Sequence, residues 1–252
     1  MCRLYMISVL MGVSRVDSYL AAAVGSVLAQ SHSAMELILV ANGTNADTVA
    51  GFLAREFGHD ERVRILKSQI PQLAHALNMG IDAAAFDFVG RMDADDVAHA
   101  DWLAGLFAFM QAGQLDVAGC DLRLIDAAGQ AIGERQYPRG TRINRLLPFK
   151  NCFAHNTVIM RKSVLLAARG YNAGLNTEDY DLWLRLRRQN VRWDNLNKCL
   201  VDYRVHGEAS QRRLLGYAEA AGLAAREWVL NKSLVNLAAF AANVIKALFR
   251  AR

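Results

Sequence analysis

The sequence predicts an α/β fold in which a doubly wound, mostly parallel central sheet is flanked by helices. Two observations support this prediction. Short apolar runs alternate with helical patterns along the first half of the chain, and an acidic run, Arg91-Met-Asp-Ala-Asp-Asp96, directly follows one of the apolar runs. Alternating strands and helices favour βαβ units, and ligands of such sheets bind beyond the carboxyl ends of the strands. A chain of 252 residues is long enough for one such domain with an appendage.

The hydrophobic pattern gives the order of elements in the first half. Residues 6–11 and 36–40 are apolar runs of strand length, and residues 18–30 between them have a helical pattern. The pattern then predicts a helix over 46–57, a strand over 63–66, a helix over 73–85 and a strand over 86–91. This succession predicts the parallel sheet.

The second half is less regular but continues the alternation. A helix is predicted to begin near Trp102. The pattern then predicts strands with a turn at Gly129 within 114–135, a strand over 156–160, a helix over 177–186 and a strand pair over 191–205. No repeat or linker divides these residues, so we expect one domain over residues 1–210.

The composition describes a globular chain and leaves its partner open. Hydrophobic residues make up 53% of the chain and charged residues 21%, and the net charge of +5 favours an anionic partner. The Lys and Arg residues are spread out without an aromatic-basic stripe, which argues against nucleic acid. The four cysteines lack Cys-x-x-Cys spacing and no secretory signal is evident, so we expect free thiols and a cytoplasmic protein.

Three carboxylates, Asp93, Asp95 and Asp96, follow the strand predicted over 86–91. Carboxylate oxygens suit hard divalent cations, and Mg²⁺ is usually held by one or two carboxylates together with the phosphates of a substrate. Asp93 and Asp95 would therefore place a cation where a nucleotide diphosphate completes its coordination. The alternative is an Asp-rich turn that caps the helix starting near Trp102.

A second acidic cluster, within Thr177-Glu-Asp-Tyr-Asp181, leads an apolar helical pattern. Such a position fixes a carboxylate on a rigid element, as a general base requires. The alternative is a capping role, in which Thr177 is the N-cap and Glu178 and Asp179 lie at the positive end of the helix dipole.

Several short motifs occur in one order along the chain and together carry a resemblance. They are Ile7-Ser-Val-Leu-Met-Gly12, Tyr19-Leu20, Ser26-Val-Leu-Ala-Gln30, Glu36-Leu-Ile-Leu-Val40, Ala76-Leu-Asn-Met-Gly-Ile81, Arg91-Met-Asp-Ala-Asp-Asp96, Thr177-Glu-Asp-Tyr-Asp-Leu-Trp183 and Tyr203-Arg-Val-His206. In this set the chain resembles the family-two inverting glycosyltransferases, from about residue 6 to about residue 206. The resemblance implies the Rossmann-like GT-A fold over residues 1–210, followed by a C-terminal helical extension over 211–252.

The resemblance also assigns roles to the two acidic clusters. It implies that Asp179 is the general base and that Glu178 orients a loop or the acceptor beside it. It implies a divalent cation, Mn²⁺ or Mg²⁺, held by Asp95 and His206, with Asp93 touching the ribose or supporting the metal. The positions implied to contact the nucleotide sugar are Val13, Arg15, Asp17, Asn42, Asn78, Asp93, Ala94 and His155.

Three aromatic residues near these motifs have structural explanations. His155 precedes a predicted strand and either lines a ligand pocket or is a satisfied structural histidine. Trp183 and Trp193 could stack on a sugar, but large aromatic side chains are more often buried, and we expect both in the core.

Two departures from the family pattern concern recognition of the nucleotide base. Ala41-Asn42-Gly43 stands where paired acids are usual, although the side-chain carbonyl of Asn42 can still accept a hydrogen bond from the base. Gly12-Val-Ser-Arg15 stands where Pro-Thr-Tyr-Asn is usual and lacks its aromatic ring, for which the planar Arg15 cation can substitute by stacking. Asp17 keeps an acidic residue soon after the strand.

Residues 211–252 lie outside the resemblance and predict an amphipathic helical tail. Its apolar pattern is broken by one narrow polar stripe, which comprises Lys232, Asn236, Asn243, Lys246 and Arg250. These interruptions argue against a helix that spans a bilayer. Two interpretations remain open: the tail lies in a membrane interface with its basic residues toward the headgroups, or it packs on the domain or on another subunit.

The sequence therefore predicts a metal-dependent inverting glycosyltransferase that moves a hexose from a nucleotide-diphosphate sugar, UDP-linked by resemblance, to a glycan or lipid-linked acceptor in bacterial surface polysaccharide synthesis. If the tail binds lipid, the protein is peripheral at the inner face of the cytoplasmic membrane. One alternative is a GDP- or dTDP-linked donor. Another is a catalytically impaired scaffold of the same fold that binds nucleotide or glycan, which the departure at Ala41-Asn42 makes conceivable.

Overall fold

The computed structural model describes residues 6–172, 176–205 and 214–250. The first half alternates strands and helices in the order β1 (Ile7–Val13), α1 (Leu20–Leu28), β2 (Met35–Asn42), α2 (Ala46–Phe57), β3 (Val63–Ser68), α3 (Leu73–Ala83) and β4 (Phe88–Arg91). The second half contains β5 (Val97–Ala98), α4 (Trp102–Ala112), β6 (Val117–Ile125), β7 (Ala131–Arg135), α5 (Thr141–Leu146), a 3-10 turn (His155–Thr157), β8 (Ile159–Arg161), α6 (Lys162–Ala167), α7 (Glu178–Arg188), β9 (Trp193–Arg204), α8 (Leu214–Leu230) and α9 (Leu234–Arg250).

One sheet joins the strands in the order β3-β2-β1-β4-β8-β6-β9-β5, with β7 paired to β6. Strands β1 to β4 are parallel to their neighbours within this group, as successive βαβ units require. Beyond β4 the sheet is mixed, because β8 is antiparallel to both β4 and β6. The predicted α/β class is confirmed. The strand order changes direction between β1 and β4, which is where ligands bind in such sheets.

Alternate residues of the central strands pack into two cores, one on each face of the sheet. In β2, Leu37 and Leu39 join the core that contains α1, α2 and α4, whereas Ile38 and Val40 join the core that contains α3 and α7. Every residue of β2 is buried. Burial on both faces explains why this strand is a continuous apolar run in the sequence and not an alternating one.

The strand pair predicted over 191–205 is wrong, because this segment forms the single strand β9. Its pairing with β6 shifts in the middle: Cys120 pairs with Leu196, but the next residue, Asp121, pairs with Cys199. The extra residues form a bulge and not a turn. The polar residues between Leu196 and Cys199 therefore resemble a turn in sequence although the chain continues in the same direction.

The strand predicted to begin at residue 156 begins at Ile159. The residues before it form the 3-10 turn, in which the Thr157 backbone N–H and hydroxyl both donate to the carbonyl oxygen of Ala154. A Thr side chain that bonds to the local backbone competes with strand pairing. The start of β8 is therefore later than its apolar pattern indicates.

The C-terminal tail contains two helices instead of one continuous helix. The chain breaks at residues 231–233, where Ser233 Oγ accepts a hydrogen bond from the Asn236 backbone N–H and so caps α9. Two residues of the predicted polar stripe, Asn236 and Asn243, are buried and point toward the protein, whereas Lys232 is exposed. In the parts of the chain described above, no helix is long and apolar enough to cross a bilayer.

Candidate active site

The carboxyl ends of three neighbouring parallel strands lie at the same edge of the sheet. Strand β1 ends at Val13, β2 at Asn42 and β4 at Arg91, from which the acidic run continues. The Val13 side chain lies in the core and Asn42 is buried. Segments that are far apart in the sequence therefore meet where a ligand of this sheet would bind.

Arg15 and Asp17 follow β1 at this edge. Asp17 Oδ1 accepts hydrogen bonds from the backbone N–H groups of Tyr19 (3.0 Å) and Leu20 (3.2 Å), so it helps to start α1. Arg15 Nε lies 3.3 Å from Asp17 Oδ2 on the surface. Their predicted contact with the nucleotide stays a prediction.

Asn78 and Ala94 have different surroundings. The Asn78 side chain accepts a hydrogen bond from the Tyr171 backbone N–H (2.8 Å) and donates one to the Tyr171 carbonyl oxygen (2.7 Å). This amide therefore fixes the backbone that precedes α7. Ala94 is half-buried between Asp93 and Asp95 and packs against the core.

Asp93, Asp95 and Asp96 form one cluster, in which a carboxylate oxygen of each lies within 4.8 Å of the others. Asp96 is buried and accepts hydrogen bonds from Asn156 Nδ2 and from the Arg204 backbone N–H. Burial, followed by the charges of Asp93 and Asp95, raises the pKa of Asp96 well above its usual value. The acidic run does not cap α4, whose N-cap is Asp101.

The donor set of this cluster fits a hard divalent cation. Asp93 and Asp95 are half-buried and offer oxygen ligands only, as Mg²⁺ and Mn²⁺ prefer. Asp96 is the buried member of the cluster, and each of its oxygens accepts a hydrogen bond from a protein group, which holds the acidic run in position. His206, the other predicted ligand, lies outside the described residues.

A cavity of about 490 Å³ opens beside the acidic cluster. Four of the predicted site residues line it, namely Asp93, His155, Glu178 and Asp179. Further polar and aromatic lining comes from Arg91, Arg135, Tyr137, Asn151, Asn156, Asn176 and Tyr203. The described residues that line the cavity do not include Val13, Arg15, Asp17, Asn42, Asn78, Ala94 or Asp95.

Asp179 is the second residue of α7 and lies in this cavity. Its carboxylate accepts hydrogen bonds from the Tyr180 backbone N–H at 2.6 Å and from Asn151 Nδ2 at 2.5 Å. Burial raises the pKa of Asp179, and these two hydrogen bonds oppose the rise. Burial and the charge of Asp179 raise the pKa of Glu178 to about 7. Their raised pKa values suit both carboxylates, Glu178 and Asp179, to accept a proton.

Arg91 and His155 are two nitrogen-containing side chains in the cavity wall, of which only Arg91 is charged. Arg91 is buried, yet its pKa is raised, because the attraction of Asp93 at 2.5 Å outweighs the cost of burying the cation. His155 Nε2 lies 2.8 Å from the Tyr171 hydroxyl oxygen. Burial and the charge of Arg91 lower the pKa of His155 well below its usual value, so the ring is neutral. His155 is half-buried, bonds to Tyr171 and lines the cavity, and its contact with a ligand stays a prediction.

Comparison with known proteins identifies the family. Residues 8–168 match the family described as Glycosyl transferase family 2. The chain belongs to this family. It is 40% identical over 247 residues to the O-antigen biosynthesis glycosyltransferase WbnJ of Escherichia coli, and the alignment covers 97% of each chain. It is also 27% identical over 143 residues to the UDP-Gal:alpha-D-GlcNAc-diphosphoundecaprenol beta-1,3-galactosyltransferase of Escherichia coli, which covers 56% of this chain and 52% of that relative.

Solved structures agree with the fold of this glycosyltransferase. Residues 1–349 of TarS from S. aureus superpose with a TM-score of 0.70 at 16% identity, covering 96% of this chain and 71% of that chain. The same protein in complex with UDP-GlcNAc gives a TM-score of 0.65 at 13% identity, with 98% and 81% covered. The predicted GT-A-like fold and the predicted glycosyltransferase class are confirmed.

Trp183 and Trp193 of the glycosyltransferase lie in the core, as predicted. Trp183 is fully buried, and its ring centroid is 5.0 Å from that of Phe153. Trp193 is 7% exposed and packs on the same phenylalanine at 5.4 Å. Phe153 also lines the cavity, so this aromatic cluster supports the cavity wall.

Sequence reasoning missed several residues that the glycosyltransferase uses to hold its acids. Asn151 bonds to Asp179, and Asn156 and Arg204 bond to Asp96. Asn156 was assigned only to a strand, and Asn151 carried no signal because isolated Asn residues are common in loops. Arg91 could have been found, since it directly precedes the acidic run and a cation there is expected to pair with a carboxylate.

Proposed function

We propose that this glycosyltransferase moves a hexose from a UDP-sugar, with inversion and with a divalent metal, to a glycan or lipid-linked acceptor in bacterial surface polysaccharide synthesis. The observation that carries the proposal is that Asp179, held by Asn151, lies in the same cavity as Asp93 of the acidic cluster. The relative that acts in O-antigen biosynthesis supports the pathway class. The relative named for UDP-Gal and a diphosphoundecaprenol acceptor, together with the UDP-GlcNAc complex of TarS, supports the donor and acceptor classes.

In this proposal Asp179 is the general base. Its carboxylate takes the proton from the acceptor hydroxyl while that oxygen attacks the anomeric carbon from the side opposite the nucleotide. The bond between the anomeric carbon and the diphosphate oxygen breaks, and its electron pair leaves with UDP. The hydrogen bonds from Asn151 and Tyr180 hold the carboxylate in place, which favours attack in one geometry. Glu178 orients the acceptor beside it.

The leaving diphosphate needs positive charge as it departs. A Mn²⁺ or Mg²⁺ ion bound by Asp95 and His206, with support from Asp93, would supply Lewis-acid stabilisation there. Arg91 fixes the Asp93 carboxylate by an ion pair at 2.5 Å and adds a buried cation to the cavity wall. Asp96, with both oxygens bonded to protein groups, keeps the backbone of the acidic run in position.

The remaining predicted positions belong to the donor site of this proposal. Asn42 would accept a hydrogen bond from the uracil, and Arg15 would stack on it or meet the phosphates. The other proposed donor contacts are Val13, Asp17, Asn78, Ala94 and His155. The proposal also includes a peripheral contact of the C-terminal tail with the inner face of the cytoplasmic membrane, where a lipid-linked acceptor would be presented.

The test is a calorimetric titration of the purified protein with UDP, GDP and dTDP, each with and without Mn²⁺. We expect metal-dependent binding of UDP only, and we expect Asp95→Ala to weaken it at least about tenfold, because a carboxylate ligand is lost. Asp87→Asn, an exposed acid at the other end of β4, is the matched control and should bind UDP as the unmodified protein does. Selective binding of GDP or dTDP would change the donor class, and nucleotide binding without turnover would indicate a scaffold.

A further inference from the structure

Two residues of the polar stripe, Asn243 and Lys246, bond to the rest of the protein. Asn243 is buried, and its Nδ2 donates to the carbonyl oxygen of Pro148 at 3.3 Å. Lys246 Nζ donates to the carbonyl oxygen of Phe149 at 2.6 Å. Because these donors pair with backbone carbonyl groups of the domain, a rotation of α9 about its axis would leave buried polar groups unpaired. The orientation of the helix is therefore fixed by its polar side.

The opposite side of α9 is apolar and exposed. Leu234 is 83% exposed, Leu248 is 65% exposed and Phe249 is 76% exposed. The exposed face follows helical spacing and comprises Leu234, Leu237, Ala238, Ala241, Ile245, Leu248 and Phe249. No charged or polar residue interrupts this set. A contiguous exposed apolar surface of this kind marks an interaction site.

The tail also carries the whole net charge of the chain. Residues 211–252 contain seven Lys or Arg and two Glu, which gives +5. Residues 1–210 contain 22 Lys or Arg and 22 Asp or Glu, and are neutral in sum. A cationic segment with an exposed apolar face is complementary to a surface that is apolar inside and anionic outside.

A cleft that contains two arginines lies beside the start of the apolar face, and it is cationic through Arg187, because Arg188 pairs with Glu227. Its polar lining comprises Asn144, Arg187, Arg188, Asn190 and Asn231. Asn231 directly follows Leu230 and precedes Leu234 by three positions, and both leucines are exposed. Guanidinium and amide groups next to exposed apolar side chains match the phosphate and the acyl region of a phospholipid.

We propose that the apolar face of α9 binds the surface of an anionic lipid bilayer, with lipid phosphates meeting the cationic cleft. The inference deepens the membrane contact of the proposed function, on which it rests. It refines the orientation predicted by the sequence, because Asn236, Asn243 and Lys246 of the polar stripe face the protein while the apolar side enters the membrane interface. A second copy is a poorer occupant of this face, since a face-to-face pair would bring together two tails of +5 each.

Helix α9 is connected through α8 to α7, the helix that carries Asp179. Glu219 accepts hydrogen bonds from the Thr177 hydroxyl at 3.0 Å and from the Asn176 backbone N–H at 3.1 Å. Thr177 is the residue that precedes α7, where Asp179 lies. Membrane docking would therefore hold the element that carries the general base close to a lipid-linked acceptor.

The experiment is co-sedimentation of the full chain with vesicles of phosphatidylcholine alone or with about 30 mol% phosphatidylglycerol. We expect the unmodified protein to bind the anionic vesicles at least about tenfold more tightly than the neutral ones. A triple variant, Leu234→Gln with Leu248→Gln and Phe249→Gln, should lose at least about tenfold in affinity, because three exposed apolar groups no longer enter the interface. The matched control is Ile132→Gln with Leu166→Gln, which removes two apolar side chains that are 56% and 55% exposed elsewhere, and it should bind normally.

A second variant keeps the inference testable if the triple variant does not fold. Arg187→Gln with Lys232→Gln leaves the apolar face intact and should also weaken binding to anionic vesicles by about tenfold. Vesicle binding that is unchanged in both variants, or absent in the unmodified protein, would overturn the inference. A dimer that the triple variant converts to a monomer, without vesicle binding, would assign the face to a second copy and also overturn it. UDP titration of the same samples separates the two proposals, since donor binding does not need the membrane face.

Discussion

Asp93 and Asp179 line the same cavity, but different neighbours hold them. Asp93 is paired with the buried cation of Arg91 at 2.5 Å, and this ion pair fixes the orientation of a carboxylate in the acidic cluster. Asp179 has an amide and a backbone N–H as its partners, and burial raises its pKa. The raised pKa suits Asp179 to accept a proton, and its two hydrogen bonds hold the carboxylate in place.

Replacement of Asp179 tests this assignment directly. Asp179→Asn keeps the size of the side chain but removes the base, so we expect kcat to fall by about 10²–10⁴-fold. The affinity for UDP should change by less than about threefold, because the carboxylate acts on the acceptor and not on the nucleotide. Asp82→Asn, on the exposed side of α3, is the matched control and should leave both quantities unchanged. Turnover of Asp179→Asn at the unmodified rate would remove Asp179 from the mechanism.

The hydrogen bond from Asn151 gives a prediction about pH. This bond favours the ionised form of Asp179, so its removal in Asn151→Ala should raise the pKa of Asp179 further. The base must be ionised to act. The acid side of the pH profile of kcat/KM should therefore move to higher pH, by about one unit, while the plateau at alkaline pH is kept. A lower plateau with an unmoved midpoint would mean that Asn151 only shapes the cavity.

At the residue scale, the sequence predicts the acids better than their supports. Asp93, Asp95 and Asp179 stand in motifs whose order is specific, so their chemistry can be inferred before the fold is known. Asn151 reaches Asp179 from 28 positions away in sequence, and Asp96 is recognised as a supporting residue only when its buried hydrogen bonds are seen. Contacts of this kind depend on tertiary packing, which no local pattern specifies.

At the element scale, the most consequential contact is that between α7 and α8. Asp181, in the first turn of α7, is buried and pairs with Arg185 on its own helix and with Arg226 on α8. Glu227, the next residue of α8, is also buried and pairs with Arg188 near the end of α7. Two charged pairs thus join α8 to α7, the helix that carries Asp179, and each buried acid depends on its cations.

Loss of one of these cations should be costly to stability. Arg226→Ala leaves Asp181 with a single cation, and we expect the free energy of unfolding to fall by about 1–2 kcal/mol, less than for a fully buried pair because Arg226 is partly exposed. The measurement is chemical denaturation followed by circular dichroism. Arg55→Ala is the matched control: its pair with Glu56 is well exposed, so the change should stay below about 0.5 kcal/mol. Equal effects of the two changes would contradict a stabilising role for the α7–α8 contact.

At the element scale, the apolar periodicity of the sequence predicts some helices and strands correctly and misses other features. The helix over 46–57 has the predicted bounds, because apolar spacing and packing agree there. The bulge of β9 between Leu196 and Cys199 and the break between α8 and α9 were missed. In both places a few polar residues interrupt an apolar pattern, and the sequence does not say whether such residues form a turn, a bulge or a cap. Pairing with β6 decides the first case and capping by Ser233 decides the second.

At the scale of the whole molecule, charge and apolar surface are unevenly distributed. Residues 1–210 are neutral in sum and contribute the two apolar cores, whereas residues 211–252 carry +5 and α9 exposes an apolar face. In α9, polar side chains face the protein and an apolar face is exposed, whereas an ordinary surface helix packs its apolar side inward. The inward polar stripe makes this arrangement stable, because the backbone carbonyl groups of Pro148 and Phe149 accept its donors.

This distribution predicts that affinity for an anionic bilayer depends more on where the positive charges lie than on how many there are. Replacement of Lys232, Arg250 and Arg252 by Gln takes three positive charges from the tail, so the net charge falls from +5 to +2. A basic residue near an anionic bilayer contributes about 1 kcal/mol, and Lys232 is exposed beside the start of the apolar face, so affinity for phosphatidylglycerol vesicles should fall by at least about fivefold. Replacement of Arg55, Lys67 and Lys198 by Gln gives the same net charge but changes exposed residues of the domain, and affinity should stay within about threefold of the original. Equal losses in the two variants would mean that the bilayer is attracted by the net charge of the molecule and not by its tail.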